Sequence, residues 1–156
     1  MGENGAKVCA TGIIAALTAF WGLCGWLWMF WVLCLVVDYL TGTVLALRAG
    51  GWYSDIARKG IWGKLGSMLV VLVTTALDFM VGLVVNHYAL PFVYTAVLSP
   101  VVLAWYTLTE VGSILENAGR LGAPLPPFLL RWIAVLQKKV DSAGARAVDG
   151  LEDGEE

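Results

Sequence analysis

The sequence predicts an all-α membrane protein built from two transmembrane helical hairpins, and three observations predict it. Hydrophobic residues make up 59% of the chain and charged residues only 14%, which leaves too little polar surface to cover a water-soluble domain. Residues 8–37 carry no charge, and residues 65–109 carry one, Asp78. Each run is longer than the roughly 20 residues that cross a bilayer as a helix, so each has to fold back on itself.

The first apolar block reaches from Val8 to Leu47 if Asp38 is tolerated. A reversal at Gly22-Leu23-Cys24-Gly25 divides it into spans at 8–23 and 26–47. Glycine enters a tight turn with least strain, and this turn would set Trp21, Trp26 and Trp28 at a membrane interface. The first span is short and also reads as a re-entrant or interfacial segment, which would leave three crossings. A signal peptide is a competing reading, weakened because the apolar run continues past the place where a cleavage site belongs.

Arg48 to Lys64 is a polar loop carrying Arg48, Asp55, Arg58, Lys59 and Lys64. The second block gives spans at 61–85 and 89–108, with Asn86-His87-Tyr88 and Pro91 at the turn and Pro100 as a candidate kink. Residues 1–118 thus form a transmembrane domain of three or four spans. Residues 119–140 form a cytoplasmic segment with Pro124, Pro126 and Pro127, followed by a short amphipathic helix. There Leu129, Ile133, Leu136 and Val140 recur at helical spacing, which suits a helix lying on the membrane or against a partner. Small residues and acids make 141–156 a predicted disordered tail.

The net charge of −2 conceals an asymmetry. Asp149, Glu152, Asp153, Glu155 and Glu156 hold five of the twelve acids, so the remaining chain has ten bases against seven acids. Neither hairpin tip contains Lys or Arg, and the positive-inside rule therefore places the central loop and both termini in the cytoplasm. The near balance of charge supplies no basic field for nucleic acid.

Catalysis finds few of its usual side chains. Cys9, Cys24 and Cys34 lack the paired spacing of a zinc or redox site, His87 is the one histidine, and phosphate-loop and nucleophile-elbow motifs are absent. The reading is of a protein that is not an enzyme and takes no cofactor or metal.

Three acids, Asp38, Asp78 and Glu110, fall within or at the edge of the spans, where each costs about 2.5–3.5 kcal/mol at a helix centre on insertion scales. Asp38, Gly42 and Ala46 share one helical face; Thr74, Thr75, Asp78, Gly82 and Asn86 share another. Faces of small and polar residues either pack helix on helix or line a pore in an oligomer. Glu110 is readable as the interfacial end of the fourth span. In the loop, Arg58, Lys59 and Lys64 are placed to anchor on anionic headgroups.

These positions together carry a resemblance. Asp38-Tyr39-Leu40-Thr41-Gly42, Ser54, Arg58-Lys59-Gly60, Lys64 and Asp78, then Glu110, Ser113-Ile114-Leu115-Glu116-Asn117 and Gly122 with Pro124 and Pro126, resemble the phage-lysis and toxin-secretion holins. The resemblance covers roughly 26–130. It implies a small protein of the bacterial cytoplasmic membrane that self-associates and opens lesions releasing an endolysin or a toxin. It marks Arg58, Lys59, Gly60, Lys64, Glu110, Ser113, Glu116 and Asn117 as candidates for folding and oligomerisation. A small ion or solute channel or transporter, and a membrane scaffold, are the competing classes.

Overall fold

The computed structural model describes residues 2–48, 54–92 and 94–152. Four helices follow one another: α1 (Gly2–Arg48), α2 (Ser54–His87), α3 (Leu98–Arg120) and α4 (Pro127–Glu152). Among the described residues, three helical segments are long and apolar enough to cross a membrane, namely Cys24–Arg48 of α1, Gly60–His87 of α2 and α3. The helix α3 packs against each of the others.

Within α1 the helical backbone is broken at one residue, Gly22, with φ 53° and ψ −146°. That conformation is nearly closed to residues with a Cβ, so the break falls on a glycine of the predicted reversal. Trp28, expected at an interface, instead points into the bundle: its ring lies edge-on to Trp31 with centroids 5.5 Å apart. Its indole N–H donates to Thr75 Oγ1 on α2 at 3.2 Å. Trp31, Leu35, Val71 and Leu103 form the core, packed around by Leu27, Trp28, Val102 and Tyr106.

The turn between α2 and α3 differs from the expected 89–108 span. Residues 88–92 and 94–97 are not helical, and α3 starts at Leu98 and continues to Arg120. Ala89 adopts a left-handed φ of 47°, and Leu90 N–H returns to the Val85 carbonyl at 3.1 Å, closing the end of α2. Pro100 does not kink the helix. It occupies the third position of α3, where a missing N–H leaves no intrahelical bond unmade.

The end of α3 is a Schellman closure. Gly122 takes φ 100°, Ala123 N–H bonds to Ala118 O at 3.0 Å, and Gly122 N–H bonds to Gly119 O at 3.0 Å. Pro124 then prevents the helix from resuming. The next helix is longer than expected: α4 passes Val140 and runs to Glu152. The tail predicted as disordered is therefore helical as far as Glu152, and 153–156 lie outside the described residues. Alanine-rich stretches hold a helix readily, and Gly144 allows close contact, since a Cβ there would sit 3.3 Å from Val101 Cγ1 on α3.

Around that small core several polar groups are buried while many large apolar side chains face outward. Ser67, Asp78, Ser99, Thr107 and Glu110 are buried, whereas Leu33, Leu40, Leu69, Leu72 and Phe79 are exposed. This inversion suits a bundle solvated by lipid.

Candidate functional site

Asp38, Lys64 and Glu110 come from three different helices, yet each stands ten residues from a helix end: Arg48 of α1, Ser54 of α2 and Arg120 of α3. At about 1.5 Å per residue, all three lie about 15 Å in from those ends. The shared depth follows from direction. In α1 and α3 the chain runs the same way, with Arg48 Nη1 donating to the Leu121 carbonyl at 3.4 Å. Running the opposite way, α2 presents Lys64 at the same level.

At that level the Lys64 ammonium bridges both acids, 2.9 Å from Asp38 Oδ2 and 2.5 Å from Glu110 Oε2. Asn117 Nδ2 donates to the other Asp38 oxygen at 2.9 Å and reaches Thr41 Oγ1 at 3.2 Å. Gly42 stands beside this amide: a Cβ there would be in ordinary contact with Asn117 Nδ2, at 3.8 Å. One cation thus offsets one of two negative charges inside the bundle, and the Asn117 amide hydrogen-bonds the Asp38 oxygen that Lys64 leaves. Charges withdrawn from water persist only when paired and hydrogen-bonded in this way.

A second polar centre sits towards the other end. Asp78 on α2 is buried and accepts from the Ser99 N–H and Ser99 hydroxyl, both at 2.6 Å, and from the Tyr94 hydroxyl at 2.5 Å. Val97, the residue preceding α3, gives no side-chain cap. A carboxylate from the neighbouring helix therefore caps α3, and a negative group at a helix start also meets the positive end of its dipole. The Tyr94 hydroxyl is pushed up to about 12 by its bond to Asp78, by burial and by the carboxylate's charge.

The remaining sequence candidates distribute around these centres. Thr75 Oγ1 donates to Val71 O at 2.7 Å and accepts from Trp28. Gly82 backs onto Tyr94, and exposed Asn86 helps line a hollow of about 240 Å³ with Gly82, Val85 and Tyr94. Ala46 and Ser113 are half-buried, while Gly60 and Glu116 are exposed. Arg58 and Lys59 are in the first turns of α2, with their side chains outside the described residues. Two positions differ from their sequence reading: Glu110 is a buried mid-helix residue, and Lys64, read as a headgroup anchor, turns inward to pair with it. Gln137 was not singled out; its amide donates to Thr109 Oγ1 on α3 at 3.0 Å. Among the described residues, no group of three His, Cys, Asp or Glu is placed to hold a metal ion.

Comparison with known proteins agrees with this architecture. The profile of the bacteriophage holin family matches residues 15–138. An uncharacterised protein of Halalkalibacterium halodurans is 30% identical over 132 residues, covering 84% of this chain and 93% of that one. An uncharacterised 14.9 kDa protein of Clostridium perfringens, from the nagH 3' region, is 30% identical over 144 residues, 88% of this chain and 98% of its own. No solved structure matches the chain. With three helices able to cross a bilayer and the family's profile spanning most of its length, the chain is a multi-pass membrane protein of the bacteriophage holin family, whose members are non-catalytic pore formers.

Proposed function

We propose that the protein is a holin. Copies accumulate in the bacterial cytoplasmic membrane, associate with one another and open lesions through which a peptidoglycan-degrading endolysin, or an exported toxin, leaves the cytoplasm. The observation that carries this reading is the family match over residues 15–138. The apolar exterior and internally satisfied charge of the bundle support it.

In this reading the central loop and the Arg120 end of α3 face the cytoplasm, because Arg48, Arg58, Lys59 and Arg120 gather there. With the first segment also crossing, the amino terminus lies on that side, and α4 starts from it. The faces of Asp38, Gly42 and Ala46, and of Thr75, Asp78, Gly82 and Asn86, hold each copy in the form that assembles.

The test is inducible expression in a bacterium that contains a cytoplasmic peptidoglycan hydrolase. Abrupt lysis is expected after a period of accumulation. Full accumulation in the membrane without release of hydrolase removes the proposal. The half-buried Asp38 and buried Glu110 carboxylates favour a second reading, a small ion or solute channel. Such a channel would pass ions and never a folded protein, so the size of the escaping cargo separates the two.

A further inference from the structure

The helix α4 carries charge along most of its length, yet it packs beside a membrane-spanning helix. Three contacts fix its register on α3. A Cβ at Gly112 would touch Ile133 at 3.7 Å, Gln137 bonds to Thr109, and Gly144 approaches Val101. As α4 advances from 133 to 137 to 144, α3 recedes from 112 to 109 to 101. The two helices are therefore antiparallel and in step over eleven residues of each.

This register sets the depth of every residue on α4. Thr109 is the central residue of α3, so Gln137 lies at mid-span and Lys138 and Lys139 lie beside it. Asp141 and Ser142 are about one turn further on. The residues turned to α3 are Ile133, Gln137 and Gly144; on the opposite side Arg131, Val135, Lys138, Ser142 and Arg146 form one exposed stripe. That stripe is wrong for lipid at this depth, where insertion penalties for charged side chains are greatest. It is also wrong for a helix resting on the membrane surface, because the three contacts run about 16 Å along α3, about half the hydrocarbon thickness.

We propose that the outward stripe of α4 lines the water-filled lumen of the assembled hole, with α4 remaining docked on α3. The inference rests on the hole-forming reading. A single copy cannot keep water against this stripe within a bilayer, so the lumen requires further copies arranged with α4 inward. It also accounts for the inward orientation of Asp38 and Asp78, whose oxygens are bonded within their own chain and do not face a lumen.

The test uses the full chain with its three cysteines replaced. The pair Thr109→Cys and Gln137→Cys locks α4 to α3 by a disulfide, and Ser142→Cys or Leu72→Cys adds a reporter on the stripe or on the exposed apolar face of α2. Membranes holding the locked chain are treated with a charged, water-soluble thiol reagent. Ser142→Cys should react at least about tenfold faster than Leu72→Cys, because only a wetted thiol ionises and reacts. Equal, slow labelling overturns the inference. In cells, the locked chain should still release hydrolase; release that appears only after a reductant is added shows that α4 must detach, and also overturns it. If the unlocked parent releases no hydrolase, the hole-forming reading fails instead, and the labelling ratio still decides whether the stripe is wet.

Discussion

The Lys64 ammonium on α2 lies 2.5 Å from Oε2 of Glu110 on α3, in a recess where the two side chains keep only 22% and 9% of their exposure. The same ammonium is 2.9 Å from Asp38 on α1. One cation therefore ties three helices together, and its removal strands two carboxylates at once.

Lys64→Met should destabilise the folded chain in detergent by about 3 kcal/mol, the lower end of what breaking a buried ion pair costs. Glu110→Gln should cost less, since Asp38 still pairs with the ammonium. Thermal unfolding followed by helical circular dichroism checks the order. If Lys64→Met melts with the parent, the cluster is not a structural tie. Replacing all three charged groups together, as Asp38→Asn, Lys64→Met and Glu110→Gln, should recover part of the loss.

Asp78→Leu removes the acceptor for Ser99 and Tyr94 and uncaps α3. The loss should be about 1–2 kcal/mol, the upper range for an N-terminal cap. Membrane accumulation should persist while hydrolase release falls. Unchanged release at matched membrane levels would count against any role for this face.

The Tyr94 phenol, raised to about 12, gives a pH prediction. Its ordinary pKa is about 10, so the folded state holds the proton more tightly than the unfolded state. The bond to Asp78 contributes its full stability below about pH 10, and that contribution is lost as pH rises through about 12. An alkaline titration of tyrosinate absorbance should show one late-ionising phenol that Tyr94→Phe lacks. Identical titration curves, after allowing for one fewer phenol of ordinary pKa, would place Tyr94 away from the carboxylate.

Gly144→Leu should separate α4 from α3. Even a Cβ at this position stands 3.3 Å from Val101, and overpacking a close contact costs typically about 1–3 kcal/mol. Disulfide formation between Thr109→Cys and Gln137→Cys reports the outcome directly. It should fall severalfold in the Gly144→Leu background.

Much of the bundle was legible because apolar length is a property of the chain itself. The uncharged runs located the membrane segments of α1 and α2, and the glycines at 22 and 25 located the break. The start of α3 was set too early, at 89, because the apolar run resumes directly after the turn; Pro100, read as a kink, is a helix starter only once Leu98 is known to precede it by two positions. The tail past Asp141 was read as disordered from its composition, whereas its helicity depends on contact with α3 through Gly144, a residue that in isolation argues against a helix. Asp38, Glu110 and Asn117 were singled out from their chemistry and the family pattern. Their partner Lys64 was assigned to the loop because nothing local distinguishes an anchoring lysine from one that turns inward. Its equal setback with Asp38 and Glu110 emerges only once Ser54 and Arg120 are known as helix ends.

The break at Gly22 divides α1 into two arms. The later arm is stitched to its neighbours by Trp28, Trp31 and Asp38. The joint itself relies on a backbone geometry that a substituted alanine could adopt only with strain. Swapping Gly22 for alanine therefore strains the joint while leaving every residue of the ion-pair latch in place.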